Sequence, residues 1–170
     1  MSKVDKKEII IDNAVAVFAE KGYYKATTAM VAKAAEVTQP YVFHFFKNKE
    51  ELFIAVLDRA FHRIYDRFMR VEAPAEQLVE AMGHEFTKVM NKHRDEVLMV
   101  MQAYTISEPL IREHVAHLYD TIFHSLVLKF EQAGIANPSI HASNFISTGL
   151  LITLAEILNL PKLFQHDHGC

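Results

Sequence analysis

The stretch TAMVAKAAEVTQPYVFHFFKNKEEL, Thr28–Leu52, carries two helix starts, a tight corner and a third helix start within 25 residues. Thr27 or Thr28 can cap a first short helix over 28–35, whose inner side is Val31, Ala32 and Ala35. Thr38 can cap a second over 38–46, with Pro40 in the first turn, where a missing amide donor costs nothing. Asn48 and Glu51 then have the spacing of a capping box and open a third.

Upstream, Ile11, Ala14, Val15 and Phe18 recur at helical spacing, and Gly22 supplies a stop. Downstream, a long helix is expected over about 49–70, with Leu52, Phe53, Val56, Leu57, Ala60, Phe61 and Ile64 as its apolar stripe. Pro74 breaks it. Four more helices follow at 75–92, 94–105, 108–133 and 138–159, and Pro161 ends the series. No stretch alternates in the manner of a strand, and five Gly and five Pro leave little room for the turns of a β fold. The expected class is all-α.

Apolar residues at 51% and charged residues at 23% describe a chain with a real core rather than a disordered one. The net charge of −3 is divided unevenly: residues 1–70 net +3 and the remainder −6, which points to two parts with different partners. Cys170, the single cysteine, excludes an internal disulfide and suits a reducing, cytoplasmic setting. MSKVDKKEII lacks the apolar core of a signal peptide. The run FISTGLLITLAEILNL is 16 residues long and includes Glu156 and Asn159, so a buried helix is expected there rather than a membrane span.

Two short helices joined by a tight turn have the dimensions of a helix-turn-helix. In such a unit the second helix enters the DNA major groove with its N-terminal residues leading. Gln39 and Tyr41 then face base edges, while Thr38, His44 and Lys49 can bond phosphates. Phe43, Phe45 and Phe46 are assigned to the core of the domain, as rings too apolar to be mainly DNA contacts.

The 52 residues KKEIIIDNAVAVFAEKGYYKATTAMVAKAAEVTQPYVFHFFKNKEELFIAVL resemble the N-terminal domain of TetR-family transcriptional regulators. The features that carry the resemblance are AVFAEKGYYKATT, VAKAAEVT and VFHFFKNKEEL, in order and without a gap. It implies a three-helix DNA-binding domain over 1–48, a linking helix over 49–70 and a helical ligand-binding and dimerisation domain over 71–170. It also implies DNA contact by helix-capping Thr28, by Thr38, Gln39, Pro40, Tyr41 and His44, and by Lys49. Two positions depart from the family pattern. Glu36 stands at a turn site most often occupied by glycine, and Phe43 where tyrosine is commoner. A left-handed backbone at Glu36 would cost on the order of 1 kcal/mol.

A small DNA-binding domain reads one half-site weakly, so a two-fold dimer on double-stranded operator DNA is expected. Helices 108–133 and 138–159 are apolar over more than one face and are the expected dimer surface. The resemblance implies a small-molecule effector that releases a repressor from its operator. Phe61, Tyr65, Phe68, Phe86 and Met90 could line its site, together with Met99, Met101, Tyr104, Tyr119 and Phe123, which suit a small apolar or aromatic ligand. No cofactor is implied, and neither a Ser/His/Asp order nor a glycine-rich phosphate loop suggests an enzyme. A rival reading is an all-α metal sensor or metalloenzyme built on His114, His117, Asp120 and His124, with His166, His168 and Cys170 in the tail. The absence of HExxH and of any Glu-x-x-His weighs against it.

Overall fold

The computed structural model describes residues 3–163, with side chains from residue 6 onward, and all regular structure among them is helical. The helices are α1 (Lys3–Lys25), α2 (Thr28–Ala34), α3 (Gln39–Phe43), α4 (Lys49–Met69), α5 (Ala75–Lys92), α6 (Arg94–Ala103), α7 (Pro109–Gln132) and α8 (Pro138–Ile157). A 3₁₀ turn follows at Pro161–Leu163. Packing separates the chain into two units, Met1–Ile64 with His93–Leu118, and Tyr65–Lys92 with Tyr119–Cys170. Helices α4 and α7 each supply residues to both.

In the first unit α1 packs on α2 and α6, and α2 packs on α3. Every residue of the expected α4 stripe is buried, as are Ile11, Ala14, Val15 and Phe18 of α1. Phe53 sits at the centre, edge-on to Phe18 at 4.9 Å and to Tyr23 at 5.0 Å. Around this core runs a charged seam. Asp12 of α1 accepts from Arg59 at 3.0 Å and Arg63 at 2.8 Å, Glu8 also pairs with Arg59, and Arg63 reaches Glu96 of α6 at 3.0 Å. Glu96 is buried, which its ion pair with Arg63 makes tolerable.

The second unit is built on Leu78, Met82, Val89 and Met90 of α5, with Phe68 and Phe130 each meeting Phe145 of α8 at 5.4 and 6.4 Å. Here the expectation of a buried last helix fails. Of α8 only Ala142, Thr153 and Ala155 are buried, whereas Ile140, Leu151, Leu154 and Ile157 are exposed. The helix starts at Pro138, seven residues before the apolar run, and so is also long and apolar enough to cross a membrane by length and composition alone. Its buried residues are small, and Phe145 is the large ring that it turns toward Phe68 and Phe130.

Three helices end in the same way, with paired backbone bonds that close on a left-handed residue. After α2 these are Val37 N to Ala32 O and Glu36 N to Lys33 O; after α7, Ile135 N to Phe130 O and Gly134 N to Glu131 O; after α8, Leu160 N to Ala155 O and Asn159 N to Glu156 O. The left-handed residues are Gly134, Asn159 and Glu36, the last with φ 54°. Glycine and asparagine accept that conformation readily and glutamate does not. Glu36→Gly should therefore stabilise the chain by roughly 0.5–1 kcal/mol, the relief of strain being trimmed by glycine's greater freedom when unfolded. Urea denaturation checks this, and an unchanged or lower midpoint would contradict it.

Gly22 interrupts α1 where a stop is expected. It kinks the helix at φ 70°, ψ 165°, and helical structure resumes to Lys25 with Ala26 N bonded to Gly22 O at 3.1 Å. That backbone region is open essentially to glycine only.

Candidate nucleic-acid interface

The two helices of the motif are fastened at their starts. Thr27, rather than Thr28, caps α2, its Oγ1 accepting from Met30 N at 3.2 Å. Thr28 follows it into the helix and is buried, where its Oγ1 accepts from Gln39 Nε2 at 2.9 Å. Gln39 thus joins the first turns of α2 and α3, leaving its carbonyl oxygen for another partner. Thr38 caps α3 through its backbone alone, and its exposed side chain makes no capping bond. Pro40 takes the second helical position.

Helix α3 is five residues long, shorter than the 38–46 the aromatic run suggests, because the chain turns after Phe43 and closes with Phe45 N and Phe46 N on Val42 O. Val42 and Phe46, four apart, point inward. Phe45 is half-buried, with Tyr41 and His44 each edge-on to it at 5.3 and 5.2 Å. Phe43 is a correction to the assignment of all three phenylalanines to the core: it is 46% exposed, on the outer side with Gln39, Pro40 and His44. The physical reason is the short helix, in which only one residue in four faces α2. Tyr41 and His44 stack at 6.1 Å with ring planes 20° apart.

Lys49 is placed differently from the other expected contacts. Its Nζ donates to Tyr23 O at 2.9 Å and lies 4.3 Å from the Tyr23 ring centroid, so its charge meets the carbonyl end of α1. The Tyr23 hydroxyl is itself pushed up to about 12 by burial first, then by the charges of Glu108 and Glu50. Asn48 Oδ1 accepts from Glu51 N at 2.8 Å, while Glu51 reaches back to Lys47 N at 3.1 Å, one residue before the expected cap.

Two cations join this surface from a distance. Lys6 Nζ lies 5.4 Å from the Tyr41 ring centroid and Lys7 Nζ 5.4 Å from that of Phe46, so the start of α1 adds positive charge beside α3. Only their place in a basic front half hints at this in the sequence, since residues some 35 positions apart leave no local pattern.

The expected effector residues fall in both units. Phe61 and Met99 are buried in the first, with half-buried Met101 and exposed Tyr104, whose hydroxyl is nonetheless pushed up by burial. Phe68 and Met90 are buried in the second, with Tyr65, Phe86, Tyr119 and Phe123 half-buried. Between α5 and α8, within the second unit, lies a cleft of about 570 Å³ with a floor of Val79, Phe86, Phe145 and Ile152. Glu76, Glu80, His84 and His141 are among its polar lining. Phe86 is the one expected effector residue that lines it. Phe145 lies on the helix over 138–159 expected at the dimer surface, and the glycines that line the cleft, Gly83 and Gly149, carry no signal in sequence.

The histidine-rich helix does not gather a metal set. His114 Nε2 bonds Asp58 Oδ1 at 2.6 Å, and His124 Nδ1 meets Asp120 O of its own helix at 2.8 Å. No three His, Cys, Asp or Glu side chains converge among the described residues. His166, His168 and Cys170 lie outside those residues.

Residues 10–56, from α1 through α3 into α4, match the model of the bacterial regulatory proteins of the tetR family. Over 166 residues, covering 96% of this chain and 87% of the relative, the sequence is 23% identical to the biofilm operon icaADBC negative transcriptional regulator IcaR of Staphylococcus epidermidis. The N-terminal part of the chain is thus similar to the DNA-binding domain of the TetR family. Two solved TetR-like structures show the same fold along nearly the whole chain. The fatty acid degradation regulator FadR of Bacillus halodurans superposes with a TM-score of 0.78 at 20% identity, covering 94% of this chain and 88% of that one. AibR, solved with isovaleryl coenzyme A and operator DNA, superposes with a TM-score of 0.69 at 17% identity, covering 97% and 90%. The matched family and the matched relative are transcriptional regulators.

Proposed function

We propose that this regulator is a two-fold dimeric repressor, released from operator DNA by a small effector bound in its second unit. The observation that carries the proposal is the fastened helix pair over Thr28–Phe43, presenting Gln39, Pro40, Tyr41 and His44 beside Lys6. Gln39 and Tyr41 read base edges; Thr38 and His44 bond phosphates. Thr28 acts by holding Gln39 and Lys49 by holding the end of α1, so both serve DNA binding through placement. The proposed division remains 1–48 for DNA binding, 49–70 as linking helix and 71–170 for effector binding and dimerisation, in a cytoplasmic protein. The presence of α4 residues in both units supports the linking role, whereas α6, which packs on α1, works with the DNA-binding part.

The exposed apolar side of α8, together with α7, serves as the dimer surface. The floor of Phe86 and Phe145 in the α5–α8 cleft suits a small apolar or aromatic effector. Its carboxylates, Glu76 and Glu80, disfavour a polyanion there, so such a compound fits this cleft better than the coenzyme A thioester named for AibR. Binding that favours one arrangement of α4 over another changes the spacing of the two recognition helices.

Selection of duplexes from a random pool tests the reading. Enriched sites should be two-fold symmetric, with half-site centres about 34 Å apart. Affinity should fall roughly 10³–10⁵-fold between about 50 and 200 mM salt if six to ten phosphates are contacted. Small aromatic and acyl compounds, with isovaleryl coenzyme A as a separate arm, should then be screened for release. Failure of any sequence to enrich would sink the reading.

A further inference from the structure

Phe43 is a large ring on the outer side of the recognition helix, 46% exposed and without a polar atom in its side chain. Pro40, three positions earlier, is exposed beside it and has no amide hydrogen. The two form a small apolar patch at a surface otherwise made of Gln39, Thr38 and His44, with Lys6 and Lys7 at the neighbouring rings. The helix and the turn after it are anchored through Val42 and Phe46, so the fold does not need Phe43 for its core.

If α3 enters the major groove, this patch meets base edges. Phe43 can neither donate nor accept a hydrogen bond, so it cannot read the amide, amino and carbonyl groups that line the groove. The one apolar group that base edges present there is the C5 methyl of thymine. A positively flanked apolar patch therefore matches a thymine methyl and mismatches the bare polar edge of a G·C pair. We infer that Phe43, with Pro40, is a specificity-determining residue that packs on a thymine methyl in each operator half-site. The inference rests on the DNA-binding reading and adds to it a named base feature and the side chain that reads it.

The experiment uses the full chain and the duplex it selects from a random pool. Each thymine of that duplex is replaced in turn by uracil, which removes only the C5 methyl. At one position per half-site the wild-type protein should lose affinity by about fourfold, the worth of one buried methyl, and by roughly the square of that when both half-sites are changed. Phe43→Ala should bind the thymine and uracil duplexes alike, with circular dichroism and melting unchanged because the ring is exposed. Phe43→Tyr keeps the ring and should keep the dependence on the methyl.

Uracil tolerated at every position by the wild-type protein, on a duplex that has been enriched, overturns the inference and leaves the DNA-binding reading standing. A methyl dependence that persists in Phe43→Ala also overturns it, since another residue would be the reader. A pool from which nothing is enriched overturns both together.

Discussion

Phe53→Ala is expected to destabilise the protein by about 3–5 kcal/mol, the cost of deleting a fully buried ring and leaving its cavity. Phe53 is 1% exposed, and its ring meets both Phe18 and Tyr23 edge-on, so the aromatic contacts between α1 and α4 depend on it. The cavity has little to collapse into it, since Leu52, Val56 and Leu57 are also fully enclosed. Melting should fall on the order of 10 °C for a chain of this length. Because Lys49 and Tyr23 hold the end of α1 against the start of α4, duplex affinity should decline with stability. Scanning calorimetry beside Phe43→Ala makes the comparison decisive. Two phenylalanines ten residues apart should differ by several kcal/mol, and a loss below about 1 kcal/mol at Phe53 would contradict its place in the core.

The second large effect lies on α8. Leu154 and Leu158 are four apart and exposed, with Leu151 one turn earlier and Ile157 alongside, so they form one continuous apolar stripe. Leu154→Glu with Leu158→Glu puts two carboxylates on it without opening a cavity in the protomer. The dimer should dissociate, because the charges of both copies would be brought together out of water. Operator affinity should drop on the order of 10²–10⁴-fold, since each half-site would then be bound separately. Sedimentation with a duplex titration measures both quantities. A variant that stays dimeric and binds the operator as the wild type does would exclude this face from the interface. The same charges would also abolish any membrane association of α8, so sedimentation without lipid separates the dimer from that alternative.

Much of the fold is legible in the amino-acid sequence alone. Helix α5 falls at the expected 75–92, and α4, α7 and α8 end within two residues of their expected limits. Their ends are written in local chemistry: Asn48 with Glu51, Pro74, Pro109, Gly134 and Pro138 all act on residues nearby in the chain. The turn site at Glu36 is marked by the family pattern, which most often has glycine there, and its backbone is left-handed at φ 54°. The length of α3 is not, because an aromatic run looks helical whether or not the backbone continues to wind.

Periodicity along the chain therefore suffices for the all-helical class and for the α4 stripe, whereas the resemblance to a known family rests on the residues of its motifs. Periodicity cannot tell which side of α8 is covered, because large apolar residues stand on more than one of its faces and Phe145 packs inward while Leu151 and Leu154 stay exposed. Nor can it show that Lys49 is engaged by Tyr23, 26 positions away, or that Lys6 stands over Tyr41. These are long-range encounters, and no spacing rule links their residues. Phe43 is the sharpest case: its neighbours Val42 and Phe46 are equally apolar, and it faces outward only because α2 takes one side of a five-residue helix.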